Sequence, residues 1–61
     1  MIYGNIKEIC DKKGMSISEL ERQAGLKSGT VAKWKTHNPQ VNNLQAVAKV
    51  LKVKIEKLLQ E

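Results

Sequence analysis

Four breakers of regular structure, Gly14, Gly25, Gly29 and Pro39, divide this chain into short pieces. Within the pieces, apolar residues recur with the 3.6-residue period of an α-helix, and isoleucines at i, i+4 and i+7 open the first one. No window alternates apolar and polar residues long enough to favour a strand. The sequence therefore predicts an all-α fold of five short helices.

The length of 61 residues limits this fold to one hydrophobic core, because chains this short bury only about 60% of the surface they expose when unfolded. A hydrophobic content of 41% with 28% charged residues is ordinary for a globular protein. We therefore expect residues 1–61 to form a single domain.

The charge distribution favours a polyanionic partner. The net charge is +5, and the stretch between Glu21 and Glu56 contains seven lysines and arginines but no acidic residue. Blocks of one sign indicate partners better than totals do. A solvated, lysine-rich helix surface explains the same charges equally well, so charge alone does not decide between the two.

Several function classes lack sequence support. No apolar run approaches the roughly 20 residues that span a bilayer, and the N-terminus carries no signal-peptide pattern, so we expect a cytoplasmic protein without a membrane partner. One cysteine, Cys10, and one histidine, His37, cannot build a zinc site or a nucleophilic catalytic set. We expect no enzyme activity, metal, cofactor or small-molecule substrate, and we expect Cys10 to be a small buried hydrophobe.

The second and third predicted helices are joined by a tight turn. Residues 16–19, Ser-Ile-Ser-Glu, form a capping-box pattern that predicts the start of the second helix, which stops at Gly25. The third is predicted to begin near Lys27 or Ser28, with Ser28 as N-cap, and to run to about Thr36. A three- to four-residue connection containing glycine is typical of a helix-turn-helix unit. An ordinary helical hairpin is the alternative.

A series of short motifs runs in order along nearly the whole chain: Met15-Ser16 with Ser18-Glu19-Leu20, Ala24-Gly25-Leu26, Thr30-Val31, Pro39 with Val41 and Leu44, and Val53 to Leu58-Leu59. In this order and spacing they resemble the lambda-repressor-like domains of the Cro/CI or XRE type. The resemblance implies a compact five-helix domain and a transcriptional regulator, of phage or prophage repressor type, that binds a double-stranded DNA operator. It also implies that the third helix enters the major groove and that the protein is a homodimer, at least on DNA.

Three residues depart from the family pattern. Ile17 stands where the family commonly has a glutamine that contacts a phosphate. Glu21 stands where a small residue is expected, and the sequence leaves open whether its side chain turns outward or bonds the indole N–H of Trp34. Trp34 replaces a smaller aliphatic residue, and we expect it in the core.

From the resemblance and from the polar face of the third predicted helix, we expect five residues to face the base edges of DNA: Lys27, Ser28, Gly29, Ala32 and Lys33. Lysine can donate to guanine O6 or N7, serine can donate or accept, and alanine can touch a thymine methyl. A phosphate contact is the alternative for Lys33. The expected contacts to the DNA backbone come from seven residues: Ser16, Ile17, Thr30, Lys35, Asn38, Gln40 and Asn43.

Two further questions stay open in the sequence. The same fold could serve as an antitoxin-like or anti-repressor module that docks on a protein instead of DNA. The apolar residues Ile55, Leu58 and Leu59 near the end could form part of a two-fold interface or close the core of the monomer.

Overall fold

The computed structural model describes residues 1–60 and contains four α-helices and one short 3₁₀ helix. In chain order they are α1 (Ile2–Lys13), α2 (Ile17–Gln23), the 3₁₀ helix (Ala32–Lys35), α3 (Val41–Leu51) and α4 (Ile55–Leu59). The all-α prediction is confirmed. The predicted count of five comparable helices is not confirmed. In place of the third predicted helix, the structure has a series of turns followed by only four residues of 3₁₀ helix.

The connection after α2 agrees with the prediction. α2 ends at Gln23, and Gly25 adopts a φ of 74°, in the left-handed region that glycine enters without a Cβ penalty. This turn lets the backbone N–H of Leu26 donate to the carbonyl of Glu21 at 2.8 Å. Such a bond satisfies a carbonyl that the end of α2 leaves without a helical partner.

The third predicted helix begins later than its sequence suggests, and this part of the prediction is wrong. Gly29 has a φ of 90°, which no α-helix accommodates, so residues 28–31 form turns. The first regular turn starts at Ala32, with the Trp34 N–H donating to the Val31 carbonyl at 2.9 Å. Ser28 is consequently not a helix N-cap, and residue 31, which occupies that place, has no side-chain capping bond of its own.

The hydrophobic core contains residues from every helix. Cys10 and Trp34 belong to it, as predicted. Its buried hydrophobic residues are Ile6, Cys10, Leu20, Val31, Trp34, Leu44, Val47, Ala48, Leu51 and Leu58. Val31 and Trp34 anchor the 3₁₀ helix, which packs against α1, while α2 packs against α3. The segment between α2 and α3 is therefore supported from behind by the core although it contains little regular helix.

The last helix closes the core of the monomer. Leu58 is fully buried, whereas Ile55 is partly buried and Leu59 is half exposed. Of the three apolar residues that the sequence offered for a two-fold interface, only Leu59 retains substantial exposure. Among residues 1–60, no helix is long and apolar enough to cross a membrane.

Candidate nucleic-acid interface

The start of α2 is capped as the sequence predicts, but in one direction only. The Oγ atom of Ser16 accepts a hydrogen bond from the backbone N–H of Glu19 at 3.0 Å. The Glu19 carboxylate accepts from the side chains of Arg22 and Gln23 rather than reaching back to the Ser16 amide. These two bonds hold the pKa of Glu19 below its ordinary value, and the bond from Arg22 has the larger effect.

The opposite face of α2 carries a buried carboxylate. Glu21 is 3% exposed, and its two carboxylate oxygens accept hydrogen bonds from the backbone N–H groups of Gly29, at 3.2 Å, and Val31, at 2.8 Å. Both arrangements that the sequence left open for Glu21 are therefore wrong. The side chain neither turns outward nor bonds the indole of Trp34, but connects α2 to the segment that follows it.

Sequence reasoning missed this contact between Glu21 and the backbone of residues 29–31. The signal available was an acidic residue at a position where α2 faces the core, directly after the buried Leu20. A buried carboxylate requires hydrogen-bond donors. The turns around Gly29 leave backbone N–H groups without helical partners, but the sequence alone showed no reason for those turns.

The five base-reading candidates all lie in segment 27–35, the turns and 3₁₀ helix that follow α2. Four of them, Lys27, Ser28, Ala32 and Lys33, are exposed, and Gly29 is partly buried. Because the inward positions of the segment are taken by Val31 and Trp34, the small and basic side chains remain at its surface. The structure thus presents these candidates together on one supported segment.

Four of the seven backbone-contact candidates line a single groove beside segment 27–35. The groove has a volume of about 540 Å³ and is lined by Thr30, Lys33, Trp34, Thr36, His37, Asn38, Pro39, Gln40 and Asn43. Its walls supply hydroxyl, amide and ammonium groups, all of which can donate to phosphate oxygens. Lys33 lies at this groove, so the geometry permits both a base contact and the phosphate contact for its ammonium.

The other three backbone-contact candidates lie elsewhere. Ser16 and Ile17 stand at the start of α2, and the Ile17 side chain is partly buried against the core. Lys35 projects toward α1, where its Nζ atom lies 4.9 Å from the centroid of the Tyr3 ring. The structure therefore separates these three positions from the groove.

Among residues 1–60, the lysines of segment 27–35 form no ion pair. Within residues 1–60, the ion pairs join Lys7 to Asp11, Lys12 to Glu8 and Arg22 to Glu19, all within α1 or α2. Across residues 1–60, Lys27, Lys33 and Lys35 have no acidic side chain within 4 Å. Their charge is available to an anionic partner.

Comparison with solved structures gives a clear match. The N-terminal DNA-binding domain of SinR from Bacillus subtilis superposes with a TM-score of 0.90 at 34% sequence identity, and the match covers 100% of this chain and 93% of that chain. Comparison with curated protein sequences finds no match.

Comparison with family models agrees with the structural match. The model described as the Cro/C1-type HTH DNA-binding domain matches residues 5–60. This range includes α2, segment 27–35 and the groove beside it. The chain belongs to the Cro/C1-type helix-turn-helix DNA-binding family.

Proposed function

We propose that the protein is a sequence-specific regulator of transcription, of repressor type, that places segment 27–35 in the major groove of a double-stranded DNA operator. The observation that carries this proposal is the exposed Lys33, which lies on a core-anchored segment, lines the groove beside it and forms no ion pair within residues 1–60. Family membership and the likeness to a DNA-binding domain support it.

Base recognition in this proposal depends on few side chains. Lys33 and Lys27 donate to guanine O6 or N7, and Ser28 donates or accepts at a neighbouring base. Ala32 contacts a thymine methyl, and Gly29 leaves space for the backbone to approach the base edges. Gly29 and Ala32 are small, so segment 27–35 has few side chains that reach the bases. The base contacts therefore depend strongly on how accurately the segment is positioned.

Phosphate contacts in this proposal come mainly from the groove. Thr30, Asn38, Gln40 and Asn43 line it together with Lys33, and in this proposal their donors contact phosphate oxygens. Ser16 and the backbone amide of Ile17 contact a phosphate from the start of α2, and Lys35 contributes from the side of α1. These contacts set the register of the protein on DNA without reading sequence.

We further propose that two copies bind one operator as a homodimer. A single module of this size contacts few base pairs, and pairing two half-sites raises specificity. Because Leu58 is buried and Ile55 is partly buried, the half-exposed Leu59 is the apolar residue of the last helix most available for a two-fold contact.

The test is selection of bound duplexes from a random pool, followed by footprinting and titration at several salt concentrations. We expect a palindromic site with half-sites about one helical turn apart, and an affinity that falls steeply with salt because several phosphates are contacted. Recovery of random sequences would contradict sequence-specific recognition. A flat salt dependence, or no shift with any duplex, would favour a protein-docking module of the antitoxin or anti-repressor kind.

A further inference from the structure

We propose that Glu21 is a positioning residue for DNA recognition: from α2, its buried carboxylate holds segment 27–35 in the conformation that presents Lys33 to DNA. This inference rests on the proposed function. It assigns the specificity of the segment partly to a residue that itself contacts no DNA.

The geometry gives Glu21 the role of an N-cap supplied from another helix. The first N–H groups of any helical turn lack internal partners, and here the cap position, Val31, has no side-chain capping bond of its own. The Glu21 carboxylate accepts the N–H of Val31 at 2.8 Å and that of Gly29 at 3.2 Å. Residues on both sides of Thr30 are thereby fixed to α2.

The two hydrogen bonds act on the part of the segment with the least regular structure. Gly29 has a φ of 90°, and residues 28–31 form turns that no run of helical bonds stabilises. Hydrogen bonds to an ionised acceptor are roughly twice as strong as neutral ones. The carboxylate therefore restrains the position of Lys33, which lies two residues after Val31.

The surroundings of Glu21 leave these amides as its principal partners. It is 3% exposed, and none of the ion pairs within residues 1–60 includes it. A buried carboxylate without satisfied oxygens is strongly unfavourable. Any rearrangement of segment 27–35 that breaks these bonds is opposed by this desolvation, so the segment is held in one conformation before DNA arrives.

Charge and positioning predict opposite effects on DNA affinity, which makes the role testable. Glu21 adds a negative charge beside a surface that binds a polyanion, so its neutralisation alone would tighten binding. Glu21→Gln removes the charge and keeps the length of the side chain, but its NH₂ group cannot accept one of the two amide bonds. A positioning role therefore predicts weaker binding despite the more favourable charge.

The experiment compares Glu21→Gln with Glu56→Gln, which removes the same charge from an exposed position in the first turn of α4. Each protein is titrated with the duplex selected by the wild type and with single-base-pair variants of it. We expect Glu21→Gln to lose roughly tenfold or more in affinity and to discriminate less between the variants. We expect Glu56→Gln to bind as the wild type or slightly tighter.

A readout in the free protein separates positioning from general stability. Amide hydrogen exchange at Gly29 and Val31 should accelerate in Glu21→Gln more than exchange in the core of α3. Leu58→Val, which loosens the core from α4, serves as the stability-matched control. An equal loss of affinity in Leu58→Val at the same free energy of unfolding would overturn the inference.

The remaining outcomes distinguish the inference from the proposed function. A wild type that binds a selected duplex, together with Glu21→Gln that binds it equally well and with the same preference, overturns the inference alone. A wild type that retains no duplex overturns the proposed function and the inference with it. If Glu21→Gln does not fold, Glu21→Asp replaces it, since it keeps the charge but shortens the reach by one methylene, and unchanged affinity there overturns the inference.

Discussion

The Nζ atom of Lys35 lies 4.9 Å from the centroid of the Tyr3 ring, which connects the end of the 3₁₀ helix to α1. Lys33, two residues earlier, lines the groove beside segment 27–35. Lys35 therefore lies against an aromatic ring of α1, whereas Lys33 of the same short helix lies at the groove. Their contributions to DNA binding are expected to differ in kind.

Lys33→Ala is predicted to relax discrimination at one base pair by about 1–3 kcal/mol, because it removes a donor to a base edge. Lys35→Ala is predicted to weaken binding to all duplexes alike and to reduce the salt slope by about 1, as expected for a lost phosphate contact. Titration of both variants against single-base-pair substitutions of the selected site checks this. A uniform loss for Lys33→Ala would assign its ammonium to a phosphate instead.

Asn5→Ala is predicted to lower the free energy of unfolding by about 1 kcal/mol, the usual net value of a hydrogen bond. The Asn5 side-chain amide donates to the backbone carbonyl of Leu58 at 2.9 Å, near the end of α4, where helical partners are lacking. Urea unfolding followed by Trp34 fluorescence measures the change. Gln45→Ala, at an exposed position of α3, is the control, and an equal effect there would remove any special role for Asn5.

Lys52→Gly is predicted to raise the free energy of unfolding by up to about 1 kcal/mol. Lys52 caps α3 with a φ of 60°, and the left-handed region penalises a residue with a Cβ by roughly 1–2 kcal/mol, which exceeds the added flexibility of glycine in the unfolded chain. Lys49→Gly, inside the same helix, should instead destabilise by up to about 1 kcal/mol. Equal effects in urea unfolding would show that the backbone conformation at residue 52 is not strained.

Cys10 is predicted to make the protein less stable at alkaline pH. Burial raises the pKa of its thiol above the ordinary value of 9.0, so the unfolded chain ionises first and stability falls as the pH rises above that value. The stability difference between the wild type and Cys10→Ala should therefore shrink between about pH 8 and pH 10. Urea unfolding at both pH values measures it, and a constant difference would contradict a raised pKa.

Local signals in the sequence predicted most of the helical framework. The cap at Ser16 and the left-handed Gly25 depend on residues within four positions of each other, and both are found as expected. The placement of Trp34 in the core, where a smaller aliphatic residue is usual, was also expected and is confirmed. The same reasoning failed where Gly29 begins a turn, since glycine alone does not indicate whether a helix continues through it.

What the sequence by itself determined is the order of the helices, the turn between α2 and the segment after it, and the acid-free central stretch, because period, caps and charge blocks are readable over a few residues. The tertiary structure alone decided that Glu21 bonds the amides of Gly29 and Val31, and that Leu58 closes the core. The partners in these contacts are eight or more residues apart, and only packing brings them together. A buried carboxylate then finds its donors where the folded backbone leaves N–H groups unpaired.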